Sequence, residues 1–306
     1  MKKILNIIIY LLILAICVFI IFKYKNVFIN IKNTIIKPKY NENLVSNDYK
    51  KSTNYDFVSI NPNYTIKNKT DIKNAIYTYL DAGWDKYTIV CDKKYTNCIN
   101  DVKQIIEDNS YLTDISNFVH PYNTFAKFNT GIRKDGVITL EKVKRYTKEE
   151  IDKINEKVDK IYNENYDRTK NTKENIKIFH DYIINHTKYD TSFKKDQLDY
   201  LSESSTAYGV LFNGKGICTG YTETMQLFLE KLNVKNYRVV SPTHAWNLVY
   251  IEGKWKHLDL TWDDPLMSDG TNMLTDKYFL IDTNTLLSYK DGEHDFDSKT
   301  YKEANN

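Results

Sequence analysis

The sequence predicts an α+β protein centred on a cysteine-bearing helix packed on antiparallel strands, preceded by a small α/β unit and an N-terminal transmembrane helix. Three observations carry this prediction. A glycine-rich turn, Gly214-Lys215-Gly216-Ile217-Cys218, runs into an amphipathic stretch; two strand-like runs follow around Glu252-Gly253; and residues 4–22 are almost wholly apolar. With 306 residues, of which 42% are hydrophobic and 14% aromatic, the chain can build a real core in one or two domains.

The run from Ile4 to Phe22 contains Asn6 as its only strongly polar side chain and follows Lys2 and Lys3. About nineteen helical residues span ~28 Å, roughly one bilayer core. A cleaved signal peptide competes with this reading, but the run is longer than a usual apolar signal region and no small-x-small site follows it. A lipoprotein site at Leu14-Ala15-Ile16-Cys17 is disfavoured by bulky Ile16. Residues 1–22 are therefore read as a signal anchor, although lysines flank the run on both sides, with residues 23 onward outside the cytoplasm. Residues 23–70 are rich in Lys, Asn and Tyr without helical or strand period, and read as a polar stalk.

The chain has 43 basic residues, two of which precede the apolar run, against 40 acidic ones. The exported part is thus close to neutral, which argues against nucleic acid as a partner. Four cysteines are too few for a disulfide scaffold, and no Cys-x-x-Cys pair is present. Cys91 and Cys98 are either a local disulfide or two separate thiols.

Residues 71–146 read as a small α/β unit: a helix around Ile72, Ile76 and Leu80 ending near Gly83, a strand over 87–91, and a helix through Val102, Ile105 and Ile106. Runs 124–129 and 137–144 form a hairpin around Lys134-Asp135-Gly136. Residues 147–306 follow as a second domain. Thr147-Lys148-Glu149-Glu150 has capping-box spacing, and Ile151, Ile154, Val158 and Ile161 continue it as a helix. Another helix runs from Thr172 through Ile176, Phe179 and Ile183.

In the amphipathic stretch after Cys218, the apolar positions Tyr221, Met225, Phe228, Leu229 and Leu232 recur at helical steps, which puts the cysteine in the first turn. Unpaired backbone N–H groups and the positive end of the helix dipole favour an anion there, so the thiol should ionise more easily than a free cysteine. A two-residue hairpin at Glu252-Gly253 pairs Ile251 with Lys254 and Trp246 with Asp259. His244 then shares a face with Asp259 as its diagonal neighbour. Asp259 can fix one tautomer of His244 while the other ring nitrogen meets the thiol, the nucleophile, base and orienter arrangement that activated cysteines need.

The segments Gly216-Ile217-Cys218-Thr219-Gly220-Tyr221, His244-Ala245-Trp246-Asn247 and Leu258-Asp259-Leu260-Thr261-Trp262 resemble, in order, the three motifs of the transglutaminase-like superfamily of papain-like thiol enzymes, over roughly residues 173–265. The resemblance implies a papain-like fold with Cys218 as nucleophile, His244 as general base then acid, and Asp259 as the orienting carboxylate. It implies attack on a glutamine side-chain amide or a peptide bond of a protein or cell-wall peptide, and resolution of a thioester by an amine or by water. No metal or organic cofactor is required. Thr219 stands where animal transglutaminases carry tryptophan, and the Cys-x-Gly-Tyr form looks like microbial members, some of which resemble proteases or amidases. A cysteine peptidase or amidase is thus the alternative, and a binding module that keeps the fold is the rival from another class.

His120, His180, His186 and His294 form no metal-ligand spacing, which argues against a zinc enzyme. His257 is placed on the face opposite Asp259 and given no role. Trp246, Trp255 and Trp262 read as core or cleft-wall residues, and Asp263-Asp264-Pro265 as a turn.

Overall fold

A computed structural model describes residues 10, 13, 14, 16, 18–20, 23, 24, 40–193, 202–265 and 273–305. Two compact units separate, Met1–Asn43 and Leu44–Asn306. In the first, the described positions from Tyr10 to Tyr24 are helical. Most of the apolar run 4–22, where the anchor is expected, lies outside the described residues, and among the described residues no helix is long and apolar enough to cross a membrane.

The second unit opens with residues 44–66. Where the sequence suggests a polar stalk, Tyr55, Val58 and Ile66 are buried in the core. The backbone amides of Lys51 and Ser52 both donate to the Asp81 carboxylate, at 3.0 Å each. Strand β1 (Thr65–Ile66) leads into α1 (Lys69–Asp81), whose start is capped by the Asn68 side chain accepting from Asp71 N at 2.9 Å. Then come β2 (Lys86–Cys91), α2 (Cys98–Glu107), α3 (Asn109–Ser116), β3 (Phe125–Ile132) and β4 (Val137–Lys144). The sheet order is β1-β2-β4-β3, with β1 parallel to β2 and the other neighbours antiparallel. Cys91 and Cys98 are joined as a disulfide that ties β2 to the start of α2.

Helices α4 (Lys148–Asn165) and α5 (Thr172–His186) each begin with a capping box, Thr147 with Glu150 and Asn171 with Glu174. Strand β5 (Lys188–Tyr189) pairs in parallel with β6 (Lys215–Gly216), which delivers the chain to α6 (Cys218–Lys231). A three-stranded antiparallel sheet follows, β7 (Asn236–Val240), β8 (Ala245–Ile251) and β9 (Lys254–Leu258), then a short α7 (Thr283–Ser288).

Strand β8 divides the interior. Trp246 and Leu248 join a core with Tyr237, Ile72, Ile76 and Leu140, which reaches into the small α/β part. Val249 and Ile251 point the other way, into a core with Ile154, Phe179, Met225 and Phe228. Strands buried on both faces read as nearly continuous apolar runs, as Ala245–Ile251 does.

Candidate active site

Cys218 is the first residue of α6, so its backbone N–H and those of the next two residues have no acceptor within the helix. Two glycines shape the approach. Gly214 takes a left-handed conformation (φ 62°). At Gly220 a Cβ would sit 2.5 Å from the carbonyl oxygen of Ser204, so only glycine lets the 202–206 segment cross the helix start. The helix is tied to the sheet beside it. Thr222 Oγ1 lies 2.7 Å from Cys218 O and 3.0 Å from Ala245 O, and Asn247 Nδ2 donates to Thr222 O at 3.1 Å.

His244 immediately precedes β8 and Asp259 immediately follows β9. The turn residues Glu252 and Gly253 have φ of 52° and 78°, the two positive values of a tight two-residue hairpin. The observed register, Ile251 with Lys254 through Asn247 with Leu258, is the one expected from sequence. It brings His244 Nε2 to 2.6 Å from Asp259 Oδ2. Nδ1 is thereby left for the thiol, and Cys218 acts on the ring by hydrogen bond and by charge.

Asp259 is fully engaged. Its Oδ1 accepts from the backbone amides of Thr261 (2.9 Å) and Trp262 (3.3 Å), and its Oδ2 faces a second imidazole, His294 Nε2, at 2.8 Å. The other nitrogen of His294 lies 2.8 Å from Asp291 Oδ2, and its ring sits among Trp246, Trp262 and Tyr278. Burial alone would raise the Asp259 carboxyl, but His244 and His294 outweigh it and hold the group well below the usual carboxylate range. For His244, burial pulls the imidazole down, yet Asp259, followed by Cys218, lifts it to about 10.

Sequence spacing pointed to no metal site, whereas folding brings together His244, Asp259 and His294, with ligand atoms all within 4.8 Å of one another. Two histidines and a carboxylate are an acceptable donor set. Both Nε2 atoms, however, already face Asp259 Oδ2 at hydrogen-bond distance, and an ion would have to displace both contacts.

The expectation for His257 is corrected. Two residues from Asp259 and opposite Leu248, it lies on the same face, because even steps along a strand preserve the face. Trp246 Nε1 donates to its Nδ1 at 2.9 Å, and burial pushes it down to about 3, so it is a neutral packing partner. The turn expected at Asp263-Asp264-Pro265 lies slightly earlier, over residues 260–263 with a bend at Asp264, and both carboxylates are buried and bonded. Asp263 reaches His180 Nε2 on α5 at 3.2 Å, and Asp264 accepts from Tyr221 on α6 at 2.6 Å. The second contact ties the segment that carries Asp259 to the helix that carries Cys218, and the first ties it to α5. A cleft of about 760 Å³ reaches Ile217 and Thr219 on either side of the cysteine, and its far wall is formed by α2, α3 and β3.

A buried His-Asp pair beside a cysteine at a helix start is thus the chemical centre of this region. Residues 159–260 match the family model of the transglutaminase-like superfamily, so this stretch is a transglutaminase-like domain, overlapping the 173–265 motif core read from the sequence. That superfamily is typically one of cysteine enzymes that transfer or hydrolyse. Among solved structures, similarity is found to a TGase crystal structure, with 19% identity over 45% of this chain and 44% of that one (TM-score 0.34). It is also found to a candidate cysteine protease from Cytophaga hutchinsonii, with 13% identity over 49% of this chain and 66% of that one (TM-score 0.28). The chain thus spans less than half of the first relative and just under two thirds of the second. No curated protein sequence matches it.

Proposed function

We propose that this protein is a thiol-dependent acyl-transfer enzyme acting on protein or cell-wall peptide amides. The supporting observation is the 2.6 Å contact between His244 Nε2 and Asp259 Oδ2, which leaves Nδ1 of the same ring to Cys218 at the start of α6.

In the proposed cycle the Cys218 sulfur attacks the amide carbonyl carbon and the C–N bond breaks. His244 gives its proton to the departing ammonia or amine, leaving a thioester on the sulfur. The first-turn N–H groups of α6 face the oxygen that becomes negative during attack. An amine or water then attacks the thioester, His244 removes its proton, and the thiol is restored. Asp259, held by two backbone amides and by His294, keeps the ring oriented and balances its charge throughout. All steps are proton transfers and acyl substitution, so these side chains suffice. The expected anchor at 4–22 belongs to the same proposal, with the rest of the chain outside the cytoplasm. The Cys91–Cys98 disulfide supports an oxidising compartment for it.

The test is intact-mass analysis of full-length protein incubated with glutamine-containing peptides, with and without pentylamine. An acyl adduct on Cys218, lost in Cys218→Ala and undischarged in His244→Ala, is the expected result. An amine-linked product marks a transferase, whereas deamidated or cleaved peptide marks a hydrolase. Absence of any adduct or product, with Cys218 alkylated equally fast in His244→Ala, would sink the reading and favour a non-catalytic binding module.

A further inference from the structure

The cleft beside Cys218 carries an uncompensated positive charge. Among the described residues that line it, the charged side chains are Lys127, Arg145 and Arg238, and none is acidic. Lys127 is exposed at the rim. The two arginine side chains are 7% and 8% exposed and share one fully buried carboxylate, Glu223, at 2.8 Å from Arg145 Nη1 and 3.5 Å from Arg238 Nη1. That carboxylate also accepts from the Tyr146 hydroxyl. Two guanidiniums to one carboxylate leave one positive charge over at the floor of the cleft.

The remaining donors of the pair are mostly satisfied. Arg145 Nη2 donates to the carbonyl and hydroxyl of Ser205, and Arg238 Nε donates to Asn117 Oδ1 at 2.6 Å. Arg145 Nε, however, is buried with no hydrogen-bond partner. The walls are mostly apolar, with Ile106, Phe125, Phe128, Ile217, Val240 and Pro242 among uncharged polar residues such as Asn109 and Thr113. A mostly apolar cavity with one spare buried charge, one unmet N–H donor and Lys127 at its rim suits a carboxylate on an apolar stem. An amine acceptor is itself cationic at neutral pH and is repelled here, which leaves the cleft to the acyl donor.

We propose that this cleft binds the acyl-donor peptide and selects one in which an apolar residue and a carboxylate lie next to the amide that reacts at Cys218. The proposal rests on Cys218 being the nucleophile and adds the class of donor. It also gives the 71–146 region a task, since Ile106 and β3 line the same cleft as Ile217 and Thr219, the neighbours of Cys218. The carboxylate comes either from an acidic side chain or from a free peptide C-terminus.

The experiment uses full-length protein and chloroacetyl peptides that alkylate Cys218, with the modified residue mapped by mass. Chloroacetyl-Phe-Glu-amide against chloroacetyl-Phe-Gln-amide tests a side-chain carboxylate; chloroacetyl-Phe against chloroacetyl-Phe-amide tests a terminal one. Iodoacetate against iodoacetamide corrects for charge felt at the sulfur itself. We expect the acidic member of at least one peptide pair to react about tenfold faster than its neutral twin, beyond the iodoacetate ratio. That preference should fall to within about twofold in Arg145→Gln, which leaves Arg238 paired with Glu223. Lys127→Gln, at an exposed position, should lower it about threefold and decides the matter if Arg145→Gln fails to fold. Equal or reversed rates within both peptide pairs would overturn the donor assignment while leaving the thiol chemistry standing. Failure of every reagent to modify Cys218 would overturn both.

Discussion

Replacing Asp259 with asparagine keeps the shape of the side chain and removes its charge. In the native protein burial pulls His244 down while Asp259, the largest opposing influence, lifts it to about 10. In Asp259→Asn the burial stays and that influence goes, so the imidazole should titrate near or below its ordinary 6.5 and be neutral at pH 7.5. A fall of the imidazole from about 10 to near 6.5 removes roughly three decades of imidazolium stabilisation beside the thiol. Alkylation of Cys218 by iodoacetamide at pH 7.5 should therefore slow by about 10²–10⁴-fold. Stability follows the same pair. The share due to His244 is full below pH 6.5, declines above it and is gone once pH passes about 10; the share due to Asp259 is full above the usual carboxylate range and lost in acid. Urea unfolding at pH 3, 5.5, 7.5 and 10, with ¹³C NMR of labelled histidine, reads both limbs, and Asp259→Asn should flatten them. A native imidazole that deprotonates near pH 6.5, or a variant alkylated within threefold of wild type, would refute the coupling.

Two further outcomes are expected. His294→Ala should lower turnover about tenfold and move the alkaline limb of the pH-rate profile, because Asp259 Oδ2 loses one of its two imidazole contacts; His294→Gln, which keeps an N–H donor, should recover most of the loss, and an unchanged profile in His294→Ala would exclude a positioning role. Gly220→Ala should cost about 1–3 kcal/mol in urea unfolding and slow Cys218 alkylation, since its Cβ would press on the Ser204 carbonyl and push the helix start away from His244.

The site was legible in the sequence wherever a local rule fixed the geometry. Glu252-Gly253 set the hairpin register, and the register placed His244 beside Asp259. Capping at Thr147 set one helix start, and the apolar steps after Cys218 set another. His294 was missed because it lies 35 residues beyond Asp259 in a stretch without period, and its role exists only through tertiary contact. Glu223 and Arg145 were silent for a similar reason, since a charged residue in a helical pattern or just past a strand reads as solvated until the fold buries it against a partner. The segment 44–66 read as a stalk because Tyr55, Val58 and Ile66 follow neither helical nor strand spacing, yet each finds its own place in the core.

Strand β8 sends Trp246 and Leu248 into one core and Val249 and Ile251 into the other. The α/β part that forms the far wall of the cleft therefore cannot swing away without stripping one face of the sheet that carries His244. The cleft behaves as a slot of fixed width rather than a jaw. On the proposed function, such a slot would sort its clients by their own pliancy, favouring tails, loops and short peptides that thread in extended form over residues locked in the surface of a folded partner.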